Sequence, residues 1–187
     1  MTKIIVASSS KRRMDLLTAF GIDFKAIPAN IEEAHAPDET PDQLVVRLAT
    51  EKAFHISRQF PDEIILGADT IVYFRKKIIG KPKNLHHATQ MLEELSGNTH
   101  TVYTGVCLTK KASEKTISWH TTTSVTFKKL TPEIVSALVH ASNPLDKAGG
   151  YALQEHEEIL IENYNGLRSN VIGLPIEQVK EKLLEFD

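Results

Sequence analysis

The β-branched run Ile4-Ile5-Val6 passes through Ala7-Ser8-Ser9-Ser10 directly into a stretch of helical period. That junction constrains the fold more than any other feature of the chain. Clustered β-branched residues make residues 3–7 a short buried strand. Ser8 to Ser10 supply N-cap hydroxyls. Residues 11–20 follow as a helix, with Met14, Leu17 and Phe20 spaced three apart and Gly21 as its stop. A strand feeding a helix opens an alternation, and the alternation continues. Residues 24–31 read as a second strand, interrupted by Pro28. Thr40-Pro41-Asp42-Gln43 combines a capping box with proline at the first helical position, and its helix runs to about Gln59. Residues 63–68 form a buried strand ending at Asp69-Thr70. Residues 72–79 read as a hairpin turning through Arg75-Lys76-Lys77.

Asn84 caps a further helix that Ser96-Gly97 closes. Residues 99–110 and 115–128 alternate as two paired strands. Thr131-Pro132-Glu133 starts a helix through about His140. Residues 149–154 and 159–163 read as strands. Gly173-Leu174-Pro175 opens a C-terminal helix with Ile176, Val179, Leu183 and Phe186 on one face. Because several neighbouring strands pair antiparallel within an alternating order, the expected fold is α/β with a mixed sheet.

Composition narrows the function classes. A chain of 187 residues, 41% of them hydrophobic, has the length of one domain and enough apolar residues for a core. A net charge of −2 and a pI near 6.4 argue against a nucleic-acid or membrane-surface binder, whose footprint is strongly basic. The single cysteine, Cys107, excludes an internal disulfide and fits a reducing compartment. Its apolar neighbours make it a small core residue. The apolar runs are too short for a secretion signal or a membrane span, so the expectation is a soluble cytoplasmic protein.

Several residues carry chemistry. A strand entering a helix through three serines presents backbone N–H groups and hydroxyls at the positive end of a helix dipole, which suits an anion. Arg12 and Arg13 lie in the first helical turn, where cations are unfavourable for the helix itself, and their forks match phosphate oxygens. The alternative is a solvated basic turn. Asp69 places a carboxylate at a strand end, where open α/β sheets put ligand chemistry, although an isolated aspartate also suits an ordinary turn. Lys81, held between Gly80 and Pro82, is a restrained cation. Lys52 shares a helix face with Val45, Ala49, Ala53 and Ile56, so it either snorkels to water or reaches anionic oxygens. Glu33 follows Glu32 after a strand and, with Asp69, offers hard oxygen ligands for Mg²⁺. The eight histidines show no metal-binding spacing and read as structural or surface residues. Cations and carboxylates together suit metal-assisted attack of water on a phosphoanhydride.

The runs Ala7-Ser8-Ser9-Ser10-Lys11-Arg12-Arg13, Gly67-Ala68-Asp69-Thr70, Gly80-Lys81-Pro82, Leu95-Ser96-Gly97 with His100, Val102 and Thr104-Gly105, Asp146-Lys147-Ala148-Gly149-Gly150-Tyr151 and Asn170-Val171-Ile172-Gly173-Leu174-Pro175 occur in this order along nearly the whole chain. They resemble the Maf family. The resemblance implies a single Maf-like domain over residues 1–187 with a two-lobed, elongated α/β fold and central cleft, similar to inosine triphosphate pyrophosphatases. It implies hydrolysis of a nucleoside triphosphate to the monophosphate and pyrophosphate. It further implies a divalent cation (Mg²⁺ or Mn²⁺) and a cytoplasmic homodimer; the charge balance adds the expectation of no nucleic-acid or membrane partner.

Residue by residue, the resemblance makes Asp69 the proton acceptor. Lys52 and Lys81 become catalytic cations, and Glu33 and Asp69 metal ligands. Ser8, Arg12, Arg13, Thr70 and Gln154 become substrate-binding residues. Tyr151-Ala152-Leu153-Gln154 resembles the subgroup acting on dTTP and UTP, and a Gln amide suits the O4/N3–H edge of uracil or thymine. Two positions depart from the family pattern: Lys11 replaces a usual Pro, and Glu155 replaces a Gly that commonly follows the Gln. A non-catalytic nucleotide-binding regulator of division or septum formation is the alternative reading.

Overall fold

The fold was read from a computed structural model that describes residues 3–34, 36, 38–141 and 143–186. His35, one of the histidines read above as structural or surface, lies outside them. The described residues form an α/β fold around a mixed sheet of seven strands. These are β1 (Ile4–Val6), β2 (Phe24–Ala26), β3 (Ile64–Phe74), β4 (Lys77–Ile79), β5 (Thr99–Lys110), β6 (Lys115–Phe127) and β7 (Ile161–Asn165). Their order is β2-β1-β3-β5-β6-β7, with β4 paired to β3. β1 runs parallel to β2 and β3, while β3–β4 and β6–β7 are antiparallel. The helices are α1 (Lys11–Ala19), α2 (Pro41–Ser57), α3 (Leu85–Leu95), α4 (Pro132–Ala141), α5 (Leu153–Leu160), α6 (Arg168–Ile172) and α7 (Ile176–Leu183).

The chain divides into two compact units. The first comprises Met1–Thr70, Tyr103–Thr121 and Ser169–Asp187, and the second Ile71–Val102 and Thr122–Arg168. In the first unit, strand alternation sorts the core into two layers. Ile4, Val6, Ile64, Leu66, Ala68, Val106 and Leu108 pack with Leu17 of α1 and with Ile176 and Val179 of α7. Ile5, Ala7, Ile65 and Cys107 pack with Ala49, Ala53 and Ile56 of α2. Cys107 is therefore the core residue expected, and burial pushes its thiol up to about 11.

Two glycines set how closely α2 approaches the sheet. A Cβ on Gly67 would stand 2.1 Å from the Ala49 carbonyl oxygen, and one on Gly105 would stand 2.1 Å from that of Val45. Only a residue without a side chain lets the helix backbone rest directly on β3 and β5. The capping box is realised as well, with Thr40 N donating to Gln43 Oε1 at 3.1 Å.

In the second unit the β3–β4 hairpin turns through Arg75 and Lys76, both at positive φ (48° and 62°), the geometry of a two-residue primed turn. Buried His100 contacts Tyr151 through a 2.6 Å hydrogen bond between Nε2 and the phenol oxygen, and both rings pack edge-on against Phe127. Burial drives the His100 imidazole down to about 4 and the Tyr151 phenol up. A histidine whose folded value lies below its unfolded value of about 6.5 stabilises the fold above that value. That stability is lost as pH falls from about 6.5 toward 4, and it amounts to roughly 3 kcal/mol. Urea unfolding at pH 7, 5.5 and 4 checks this: His100→Asn should flatten the pH slope by that amount, and an unchanged slope would rule the assignment out.

Three sequence expectations are corrected. β3 does not end at Asp69-Thr70 but continues to Phe74: sheet pairing carries the strand through the polar pair, and Ile71 and Val72 beyond it are buried. Residues 149–154 are not a strand. Gly149 and Gly150 both take positive φ (72° and 75°), which no strand accommodates, and the Leu-Gln-Glu-rich stretch from Leu153 turns helical, broken at His156. The second strand stops at Ala26, just before Ile27 and Pro28, and Pro28 has no N–H for a ladder. The short helix α6 ahead of Gly173 was not anticipated.

Candidate active site

The consequential residues of the first unit sit on two adjacent positions of β3. Asp69 follows Ile65 and Gly67 on the face that carries α2, whereas Thr70 follows Leu66 and Ala68 on the face that carries α1 and α7.

On the α2 face, Lys52 lies along the buried stripe, as its periodicity predicts, and is only 7% exposed. Its ammonium does not snorkel to water. Nζ is 2.6 Å from Asp69 Oδ1 and 2.6 Å from Glu33 Oε1. Of the two destinations the sequence leaves open, it takes the anionic oxygens, and these are protein carboxylates. Asp69 is itself buried (7% exposed), so Lys52 offsets the cost of holding its charge out of water. One cation against two carboxylates leaves a residual negative charge.

On the opposite face, Arg13 projects from the first turn of α1. Its Nε donates to the Gly173 carbonyl at 2.8 Å, Nη1 to Ser8 Oγ at 3.2 Å, and Nη2 to Thr70 Oγ1 at 3.0 Å. These bonds use three of the five guanidinium N–H groups and leave one on each η nitrogen. Ser8 also accepts from Ser10 N at 3.2 Å, which fixes the serine turn, and no side chain caps the α1 N-terminus. Burial lowers the Arg13 pKa. The charges of Asp69 and Glu33 raise it and that of Arg12 lowers it, so all three act on the guanidinium through space. Arg12 is half-buried and makes no hydrogen bond or ion pair among the described residues.

The first unit thus gathers Ser8, Arg12, Arg13, Glu33, Lys52, Asp69 and Thr70. Lys81 and Gln154 belong to the second unit, and both are exposed. Their segments are tied there: Gly149 N donates to the Gly80 carbonyl at 3.1 Å, joining the turn before Lys81 to the loop before Gln154. Glu155 is engaged by Lys147, whose Nζ lies 3.2 Å from Glu155 Oε1 and donates to the Asn143 carbonyl at 2.6 Å.

A family model described as "Maf-like protein" matches residues 3–186. The chain belongs to the Maf family. A relative from Bacillus cereus (strain G9842), a dTTP/UTP pyrophosphatase, is 42% identical over 187 residues, covering 100% of this chain and 97% of its own length. A dTTP/UTP pyrophosphatase from Bacillus anthracis matches with the same identity and coverage. Among solved structures, a HAM1 protein from Coxiella burnetii aligns with a TM-score of 0.54 at 16% identity, covering 99% of this chain and 100% of the other. At that identity the likeness speaks for the fold.

The sequence reading did not single out Thr104 or the Gly173 carbonyl as parts of this network. Both lie inside family motifs, and a motif residue without an assigned task was the available signal. No helix among the described residues is long and apolar enough to cross a membrane.

Proposed function

We propose that this protein is a nucleoside triphosphate pyrophosphatase that hydrolyses dTTP and UTP to the monophosphate and pyrophosphate. The observation that carries the reading is the cluster in which buried Lys52 lies 2.6 Å from both buried Asp69 and the more exposed Glu33, with an arginine on the other sheet face that keeps two unspent N–H groups. The pyrimidine preference is supported by the full-length relatives of that name and by Gln154.

In this reading Asp69 takes a proton from the attacking water as its oxygen bonds to the α-phosphorus. The bond between that phosphorus and the bridging oxygen breaks, and pyrophosphate leaves with the electron pair. Lys52 keeps the Asp69 carboxylate in place. Arg13, Arg12 and Ser8 bind phosphate oxygens through charge-assisted hydrogen bonds. Thr70 and Gln154 position the pyrimidine, and Lys81 is a further catalytic cation; the family resemblance supports these three roles.

A divalent cation, Mg²⁺ or Mn²⁺, belongs to the same reading. Two carboxylates converge on one ammonium, and the described residues contain no group of three His, Cys, Asp or Glu able to hold a metal. Hard oxygen donors in that number suit an ion whose shell substrate phosphates complete. Glu33 and Asp69 would hold it, and when bound it supplies charge neutralisation to the phosphate oxygens. We further propose a cytoplasmic homodimer, working as one domain, without nucleic-acid or membrane partners. The net charge of −2 supports the last point.

Pyrophosphate release from a panel of nucleoside triphosphates, with Mg²⁺, with Mn²⁺ and with chelator, tests the proposal. dTTP and UTP should be the best substrates, and chelation should abolish turnover. A preference for 7-methyl-GTP would overturn the base assignment. Saturable nucleotide binding without turnover would favour the regulator.

A further inference from the structure

The Arg13 network extends beyond the residues that would touch substrate. Thr104, on β5, lies on the same sheet face as Val106 and Leu108, and it is completely buried. Its hydroxyl donates to the Asn170 carbonyl at 3.1 Å and stands 3.0 Å from Thr70 Oγ1. A threonine hydroxyl has one proton. With that proton committed to Asn170, Thr104 can only accept from Thr70. Thr70 then spends its proton on Thr104, with the Gly173 carbonyl a longer alternative at 3.3 Å, and can only accept from Arg13 Nη2 at 3.0 Å. The bonds therefore run in one direction, from guanidinium to hydroxyl to hydroxyl to carbonyl, and each polarises the next.

We propose that Thr104 is a positioning residue for the proposed reaction: through Thr70 it sets the orientation of the Arg13 guanidinium. The inference rests on the pyrophosphatase reading. Three contacts hold the guanidinium, at Gly173, Ser8 and Thr70, and only the Thr70 contact depends on another side chain for the direction of its hydroxyl proton. Without Thr104, the Thr70 proton turns toward the Gly173 carbonyl, which Arg13 Nε already uses, and one anchor of the fork loosens. The two N–H groups left for phosphate then lose their fixed aim, and small misplacements of a positioning group are costly.

The test is a double-mutant cycle on the full chain with Thr104→Val, Arg13→Ala and the pair, read as kcat/KM for dTTP. Thr104→Val alone should lower kcat/KM by roughly 10- to 100-fold. Thr104→Ser, which keeps the hydroxyl, should remain within about 3-fold of the native protein. In the Arg13→Ala background Thr104→Val should cost less than about 2-fold, because the group it orients is gone. An equal loss in both backgrounds would overturn the proposal, since a purely structural role is blind to Arg13. Thermal melts accompany each variant, and Thr104→Ala carries the same cycle if Thr104→Val does not fold. Inorganic tripolyphosphate binding by calorimetry on the same proteins reads the coupling without turnover. If the native protein hydrolyses no nucleotide, the pyrophosphatase reading fails while this arm still decides the role of Thr104: coupled losses uphold it and additive losses reject it.

Discussion

Asp69→Asn is expected to yield a folded protein whose turnover of dTTP and UTP is lower by about 10²- to 10⁴-fold, the usual cost of removing a general base. The substitution keeps the size and planarity of the side chain but removes its capacity to take a proton from water. It also removes one of the two carboxylates that Lys52 holds at 2.6 Å. Lys52 keeps Glu33 as a partner, so the buried ammonium is not stranded, and the fold should survive. The loss should appear in kcat and, if Asp69 is the metal ligand proposed above, with an increased demand for divalent cation as one hard oxygen donor becomes an amide. Pyrophosphate release against metal concentration, with circular dichroism as the check on folding, measures both. Turnover at the native level would remove Asp69 from the role of base.

Gly105→Ala is expected to destabilise the protein by at least about 3 kcal/mol, the upper part of the range for overpacking. The added Cβ would meet Val45 O at 2.1 Å, Val45 C at 2.2 Å and Val46 N at 2.6 Å. These are backbone atoms of α2, so no side-chain rotation relieves the clash and the helix itself must move. Moving α2 also moves Lys52, so any folded remainder should lose activity out of proportion to its loss of stability. Gly67→Ala meets the same obstacle at Ala49 O and should behave alike. Gly80→Ala is the control: a Cβ there has nothing within 4 Å, and its effect on stability should stay within about 0.5 kcal/mol. Urea denaturation of the three variants compares them directly.

Much of this arrangement could be read locally. The cap at Thr40-Pro41 and the stripe Val45, Ala49, Lys52, Ala53 and Ile56 identified α2 and the inward direction of its lysine, because both signals are contained within a few helical turns. Burial of Cys107 and the hairpin turning through Arg75-Lys76-Lys77 followed from equally local patterns, although Lys77 is itself the first residue of β4. Properties that depend on distant partners were not legible. Gly67-Ala68-Asp69-Thr70 looks like the end of a strand, yet β3 continues through it, because sheet partners on either side sustain the strand. The tandem glycines 149 and 150 read as strand because their sign of φ is invisible in sequence. Lys52 left two destinations open until Glu33 and Asp69 were seen beside it. Thr104 and Asn170, 66 residues apart, meet only when β5 and the segment ahead of Gly173 are folded together.

Asp69 and Thr70 are neighbours in sequence that serve opposite layers of the sheet. Losing or gaining a single residue between Ile64 and Ala68 would hand the acid to the arginine's layer and the hydroxyl to the lysine's. No substitution elsewhere could restore both at once. The spacing ahead of this dipeptide therefore matters as much as the dipeptide itself, and apart from Gly67, which has no room for a side chain, the segment should tolerate changes of side chain far better than changes of length.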